Sequence, residues 1–304
     1  MAKRILDIRK SDLISMTKKN KIQSLLMGEG RGLFCEIFAT SPALLGNVSN
    51  VELAAGFGAD VLLLNDYYAF EPMVQGMPHQ NEGNTISQIK ELTGRMVGVD
   101  LYVKDRSKKE GFWPPEGILL SEANLSKLVD DGVDLINVVG DPEQGVTNEE
   151  IAEAINQIPE GLKQQVVIVS GRMNKAGIPS MRVHEMLPKT FVKDLVDAGV
   201  DIVMLPAPGS VPGFSVDIVS ELVDYCHSLG VMTLTAVGTS QEGADTDTIK
   251  TIAINAKMCG TNLHHLGDSG MVTGVASPEN ILSYSIAIKG KKHTYRRMTA
   301  SLKR

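Results

Sequence analysis

At 304 residues, with 43% hydrophobic and 22% charged residues and a net charge of −6, the chain can bury a large core and falls outside the disordered class. The acidic balance argues against nucleic-acid binding by the body of the molecule, and no apolar run approaches the ~20 residues of a membrane span. The start Met1-Ala2-Lys3-Arg4 has no apolar segment behind its charges, so a cytoplasmic protein is expected, and three cysteines (Cys35, Cys226, Cys259) without C-x-x-C spacing argue against a disulfide framework or a zinc site.

Residues 1–30 read as an N-terminal helical extension, and the first 22 carry seven Lys/Arg against two Asp. From there a repeat organises the chain. A glycine, one residue and an Asp or Asn lead into an apolar run four times: Gly58-Ala59-Asp60 before Val61–Leu64, Gly132-Val133-Asp134 before Leu135–Val139, Gly199-Val200-Asp201 before Ile202–Leu205, and Gly260-Thr261-Asn262 before Leu263. Each glycine closes a helical pattern and each run has the length of a buried strand. The starts lie 74, 67 and 61 residues apart, about twice the ~30 residues of a strand-plus-helix unit. One further strand therefore belongs in each interval, and Leu33–Ala39, Met96–Tyr102, Val166–Ser170 and Met232–Val237 supply them. Eight strands alternating with helices predict a single (β/α)₈ barrel over residues 31–288.

In this fold the loops after the strands carry the chemistry. Three are oversized: Asp66–Asn84, Lys104–Leu120 with Trp113-Pro114-Pro115, and Gly171–Arg182. They suit a lid over a site or a subunit interface. The strand ends carry polar side chains that a packing barrel does not need: Glu36, Asn65-Asp66, Asp100, Asn137, Ser170 and Arg172, and His264-His265. Buried carboxylates cost several kcal/mol unless they are paired or bound to metal. Glu36, Asp66 and Asp100, on three adjacent strands, are thus expected to hold Mg²⁺ or Mn²⁺, or to pair with arginine or lysine. His264 and His265 alternate across strand 8, so one points into the barrel as a candidate base, and the sequence does not say which.

Strand 7 ends in Val237-Gly238-Thr239-Ser240 and strand 8 in Leu266-Gly267-Asp268-Ser269-Gly270. Glycines let amides approach an anion, and this loop pair often binds phosphate in barrels, so Gly238, Thr239, Gly267, Asp268, Ser269 and Gly270 are the expected phosphate cup. The Walker, G-x-S-x-G and H-E-x-x-H motifs are absent, and no nucleotide cofactor is indicated. No lysine lies in Ile202–Pro208; the nearest are Lys104 and Lys175, which disfavours Schiff-base chemistry.

A helix should begin at Ser277-Pro278-Glu279, with Ile281, Tyr284, Ile286 and Ile288 as its apolar stripe. Residues 289–304 form a basic tail of seven Lys/Arg and no acid. Its few apolar residues cannot bury alone, so it should order against another acidic surface. A second copy of the chain offers one, and a homo-oligomer is expected.

The strand 7/8 glycines resemble those of phosphate-binding (β/α)₈ barrels. The run Leu263-His264-His265-Leu266-Gly267-Asp268-Ser269-Gly270, with the tail Gly290-Lys291-Lys292-His293-Thr294-Tyr295-Arg296-Arg297-Met298, resembles an uncharacterised bacterial barrel family along the whole chain, one that brings no catalytic residues to carry over. More distantly the chain is similar to BtpA-type barrels and to the phosphoenolpyruvate mutase and isocitrate lyase group, a resemblance that implies metal carboxylates on early strands. It departs from that group in having a single Asp in Val99-Asp100-Leu101 and no K-K-C-G-H loop. The resulting expectation is an enzyme acting on a small phosphorylated metabolite of the sugar phosphate class, by isomerisation, epimerisation or aldol-type cleavage. The alternatives are a Mg²⁺-dependent lyase or mutase, and a non-catalytic protein that binds a phosphorylated ligand.

Overall fold

The computed structural model describes residues 3–78, 84–104, 113–174, 182–300 and 302. Eight parallel strands close in sequence order into a barrel: β1 (Gly32–Phe38), β2 (Val61–Asn65), β3 (Met96–Tyr102), β4 (Leu135–Val139), β5 (Val167–Gly171), β6 (Ile202–Pro206), β7 (Met232–Val237) and β8 (Leu263–Leu266), which pairs back onto β1. Seven lie within one residue of the apolar runs that predicted them, and β8 runs on from Leu263 through the two histidines to Leu266. Helices between the strands start on side chains that accept an orphan N–H of the first turn, among them Ser49, Asn84, Ser121, Thr147, Ser215, Asp245 and Ser277.

The repeat marks the helix-to-strand joints at the barrel floor. Its four glycines adopt left-handed φ values of 115°, 85°, 101° and 83°, where a Cβ would clash with the following carbonyl. The acidic residue two positions on then ties the strand before it. Asp60, Asp134 and Asp201 accept the amides of Leu33, Val97 and Ile168 at 3.0, 2.9 and 2.8 Å, and Asn262 accepts that of Thr233 at 2.8 Å. Each carboxylate is balanced by cations: Asp60 by Lys289 (2.6 Å) and Arg297 (3.0 Å), Asp134 by Lys21 (2.9 Å) and Lys90 (2.8 Å), Asp201 by Lys18 (2.7 Å). The neutral Asn262 meets His227 instead, at 2.8 Å.

The two basic ends close the floor. Ile5, Leu6, Ile8, Leu13 and Leu25 of the N-terminal segment bury themselves among the inward residues of the strands, so the extension is a plug. The last helix, Pro278–Thr299, breaks at Gly290 (φ 75°, ψ 158°), and its second half folds back under the barrel. There Arg297 reaches Asp60 and the Ile8 carbonyl (2.6 Å), Arg296 pairs with Asp7, and Arg95 donates to the Arg297 carbonyl at 3.0 Å. The acidic surface that orders the tail is thus the barrel's own.

Of the long connections, residues 79–83, 105–112 and 175–181, Lys175 among them, lie outside the described residues. No helix among the described residues is long and apolar enough to cross a membrane.

Candidate active site

Side chains alternate between barrel interior and helix layer along each strand, and the interior changes character from floor to mouth. Phe34, Val61, Leu63, Met96, Leu135, Val169, Met204 and Leu234 fill the lower layers as an apolar cluster. One inward position higher the residues become Glu36, Asp100, Asn137 and His265, all buried. Above them opens a cavity of about 330 Å³, rimmed by Asn65, Tyr102 and the loops after β4, β5, β7 and β8.

The floor of the cavity is a hydrogen-bonded set of carboxyls. Asn65 donates from Nδ2 to Glu36 Oε1 at 2.9 Å and reaches Asp268 Oδ2 at 3.4 Å, while its own Oδ1 accepts from the Tyr102 hydroxyl at 2.8 Å. Asn137, beside Asp100 in register, donates to Asp100 Oδ1 at 2.9 Å. His265 Nε2 lies 3.2 Å from Glu36 Oε2, and neither ring nitrogen makes a hydrogen bond among the described residues. Burial raises the Glu36 pKa, but His265 and hydrogen bonds from Asp100 and Asn65 outweigh it and hold that carboxyl below the usual range. Asp100 moves the other way. Burial and then the Glu36 charge push it well above an ordinary aspartate, so the two neighbouring carboxyls are shifted in opposite directions.

The β7 and β8 loops contribute two more acids. Thr239 and Ser240 both adopt left-handed φ (55° and 65°), a costly conformation for non-glycine residues. The turn they start, Gln241–Gly243, carries Glu242 inward until it is only 3% exposed. Glu242 Oε1 accepts the Ser269 amide at 3.2 Å, its Oε2 has no partner among the described residues, and Asn280 holds the turn from behind through the carbonyls of Glu242 (2.8 Å) and Ala244 (2.7 Å). Burial lifts Glu242 to about 7; burial and the Glu36 charge lift Asp268 to about 6.

The structure gathers some of the sequence candidates and separates others. Glu36, Asp100 and Asp268 line the cavity, and His265 is the inward histidine, buried beneath it against Glu36. His264 faces the helices, where Nδ1 sits 3.1 Å from the Tyr284 hydroxyl and Nε2 3.1 Å from the Gly30 carbonyl; burial pushes it down to about 3, a neutral structural residue. Asp66 is absent from the cavity lining: its backbone turns left-handed (φ 54°) and its carboxylate accepts from Thr40 at 2.5 Å. The metal trio of Glu36, Asp66 and Asp100 therefore does not converge, and among the described residues no three His, Cys, Asp or Glu side chains have metal-ligand geometry. Arg172 lines the cavity but ties down the loop after β4, donating to Asn148 Oδ1 (2.7 Å), Gly140 O (2.8 Å) and Val146 O (2.5 Å).

The expected phosphate cup is partly engaged from within. The Ser269 amide serves Glu242, the Ser269 hydroxyl donates to Asp268 (3.0 Å), the Gly267 amide continues the barrel ladder to Val237 O (3.0 Å), and the Thr239 hydroxyl donates to the carbonyls of Ser210 and Gly238. A Cβ on Gly270 would lie 2.6 Å from Val275 O, whereas one on Gly238 would meet only Met173 at 3.6 Å. Glu242 was not selected from the sequence. Its signal was weak: a lone acid in a Gly-rich loop, four residues after Gly238.

The family described as "Domain of unknown function (DUF7916)" matches residues 6–304. No curated protein matches the chain. Among solved structures, the carboxyl transferase domain of Rhizobium etli pyruvate carboxylase with 3-bromopyruvate shares 12% identity at a TM-score of 0.56, covering 94% of this chain and 51% of that one. Deoxyribose phosphate aldolase from Aeropyrum pernix shares 14% identity at 0.50, covering 88% and 94%. The chain spans 29% to 53% of the carboxylase chains it matches. At these identities the likeness is one of fold, and barrels host many chemistries.

Proposed function

This chain belongs to the DUF7916 family, and from the geometry of its barrel mouth we propose that it is an enzyme that moves protons on a small metabolite by isomerisation, epimerisation or aldol-type cleavage. The observation that carries the reading is the buried carboxyl pair at the cavity floor: Glu36, bonded to Asn65 and 3.2 Å from His265, is held below the usual carboxylate range, while Asp100, bonded to Asn137, is pushed well above it. A base and an acid fixed side by side under a small cavity can take a proton from one atom of a bound molecule and return it to another, an effect worth about 10²–10⁴ in rate. A purely binding protein has no need of two buried carboxyls shifted in opposite directions.

Where the metabolite is phosphorylated, its phosphate belongs at the rim formed by Gly238, Thr239 and Gly267–Gly270. Gly238 offers the clean test of that end, because a Cβ there meets only the Met173 side chain, at an ordinary 3.6 Å. Gly238→Val should abolish binding of inorganic phosphate, read by calorimetry, without lowering the melting temperature; unchanged binding would move the phosphate elsewhere. For the chemistry, the protein is incubated in D₂O with sugar phosphates and small keto and hydroxy acids. NMR should reveal exchange of one carbon-bound proton, slowed at least about a hundredfold by Glu36→Gln and by Asp100→Asn. Exchange that survives both substitutions would place the chemistry outside this pair.

A further inference from the structure

Among the described residues the cavity is lined by five acids, Glu36, Asp100, Asp141, Glu242 and Asp268, and by one cationic side chain, Arg172. Arg172 spends a donor of each guanidinium nitrogen on the loop after β4. Carboxylates crowded in a buried space repel one another and lose hydration, so they either take up protons or call for a compensating cation. Asp268 and Glu242, at about 6 and about 7, carry the mark of that crowding. Around the cavity three buried atoms also lack a hydrogen-bond partner among the described residues: Glu242 Oε2, which wants a donor, and both ring nitrogens of His265.

We propose that the ligand of this cavity carries a protonated amine, seated among Glu36, Asp268 and Glu242. The inference rests on the reading above that the cavity is a substrate site, and it narrows the substrate to an amine-bearing metabolite. An ammonium has three N–H donors and no acceptor, which matches three carboxylates and gives Glu242 Oε2 the donor it lacks. The protein already uses such a bridge. The Asn65 NH₂ group spans Glu36 and Asp268 at 2.9 and 3.4 Å, so a nitrogen donor shared between carboxylates suits this geometry. A hydroxyl brings one donor and no charge, and a divalent ion finds no converging ligand set among the described residues.

The single tryptophan reports on the site: Trp113 packs edge-on to Tyr102, 5.8 Å between ring centroids, and Tyr102 lines the cavity. Trp113 fluorescence and thermal shift would be followed during titration with ethanolamine, glucosamine and putrescine, against glucose, N-acetylglucosamine and inorganic phosphate, at moderate salt to screen the acidic surface. At least one amine should bind saturably at millimolar concentration, glucosamine should exceed its uncharged analogues, and Asp268→Asn and Glu242→Gln should each weaken amine binding roughly tenfold or more. Both variants would be checked for an intact melting transition. Amine binding that survives both substitutions, or equal binding of glucose and glucosamine, overturns the proposal. Phosphate or sugar binding with no response to any amine overturns it while leaving the active-site reading intact. No binding of any probe, together with proton exchange indifferent to Glu36→Gln, overturns both.

Discussion

Each buried carboxyl at the barrel mouth meets its desolvation differently. Glu36 is held low by His265 and two hydrogen-bond donors, Asp100 is pushed well above the ordinary range by burial and the Glu36 charge, and Asp268 and Glu242 are lifted to about 6 and about 7. For Glu242, whose folded-state pKa of about 7 lies above its ordinary 4.5, the unfolded chain ionises first, so stability is lost as pH rises from about 4.5 to about 7. Glu242→Gln should therefore raise stability at pH 8 by on the order of 2 kcal/mol and leave it unchanged at pH 4, measured by urea denaturation. His264 has the opposite signature. Its folded-state value of about 3 lies below the ordinary 6.5, so the unfolded state takes up a proton first and stability falls as pH drops below 6.5. A loss of about 2 kcal/mol by pH 5 is expected from this residue. His264→Gln should flatten that part of the profile, and an unchanged acid limb would assign the titration elsewhere.

Among the elements, the helix-to-strand joint is the unit that repeats. Its glycine ends the helix, and its acid ties the start of the preceding strand while a cation from the plug, a helix or the tail offsets the charge. Asp134, fully buried between Lys21 and Lys90, is the most heavily balanced by lysine. Asp134→Asn keeps the acceptor for Val97 but strands two ammonium groups, so it should destabilise by about 3 kcal/mol or more, and the added substitution Lys21→Met should recover part of the loss. At the fourth joint the amide Asn262, beside His227, makes the same tie to the preceding strand. Arg172 is likewise an element-scale residue, since its three bonds fix the path of residues 140–148 beside the cavity.

For the whole molecule, the barrel is finished by its ends. The N-terminal plug completes the apolar interior, and the tail supplies Arg297 to Asp60, a carboxylate with no solvent exposure. Truncation after Gly290 should therefore lower the melting temperature by several degrees, because it leaves Asp60 with Lys289 alone and uncovers Ile8. The same truncated protein tests assembly. Light scattering should give an unchanged mass if the tail's role is confined to its own barrel, and a smaller one if it also joins copies.

Much of this was legible in the sequence because it depends on local chemistry. Glycine at a left-handed position, an acid two residues later and a short apolar run mark a helix-to-strand joint wherever they occur, and four such joints fix the number of strands. Alternation also placed Glu36 and Asp100 on strands whose ends reach the mouth. What local pattern could not decide is direction and company. His264 and His265 differ only in which face of β8 they occupy, and the barrel register turned His265 inward to Glu36. Asp66 left the cavity because its backbone went left-handed, and Glu242 entered it because two strained residues after β7 and the clamp of Asn280, 38 residues further along the chain, hold its turn over Ser269. Those outcomes belong to contacts between segments far apart in sequence, and only the closed barrel brings them together.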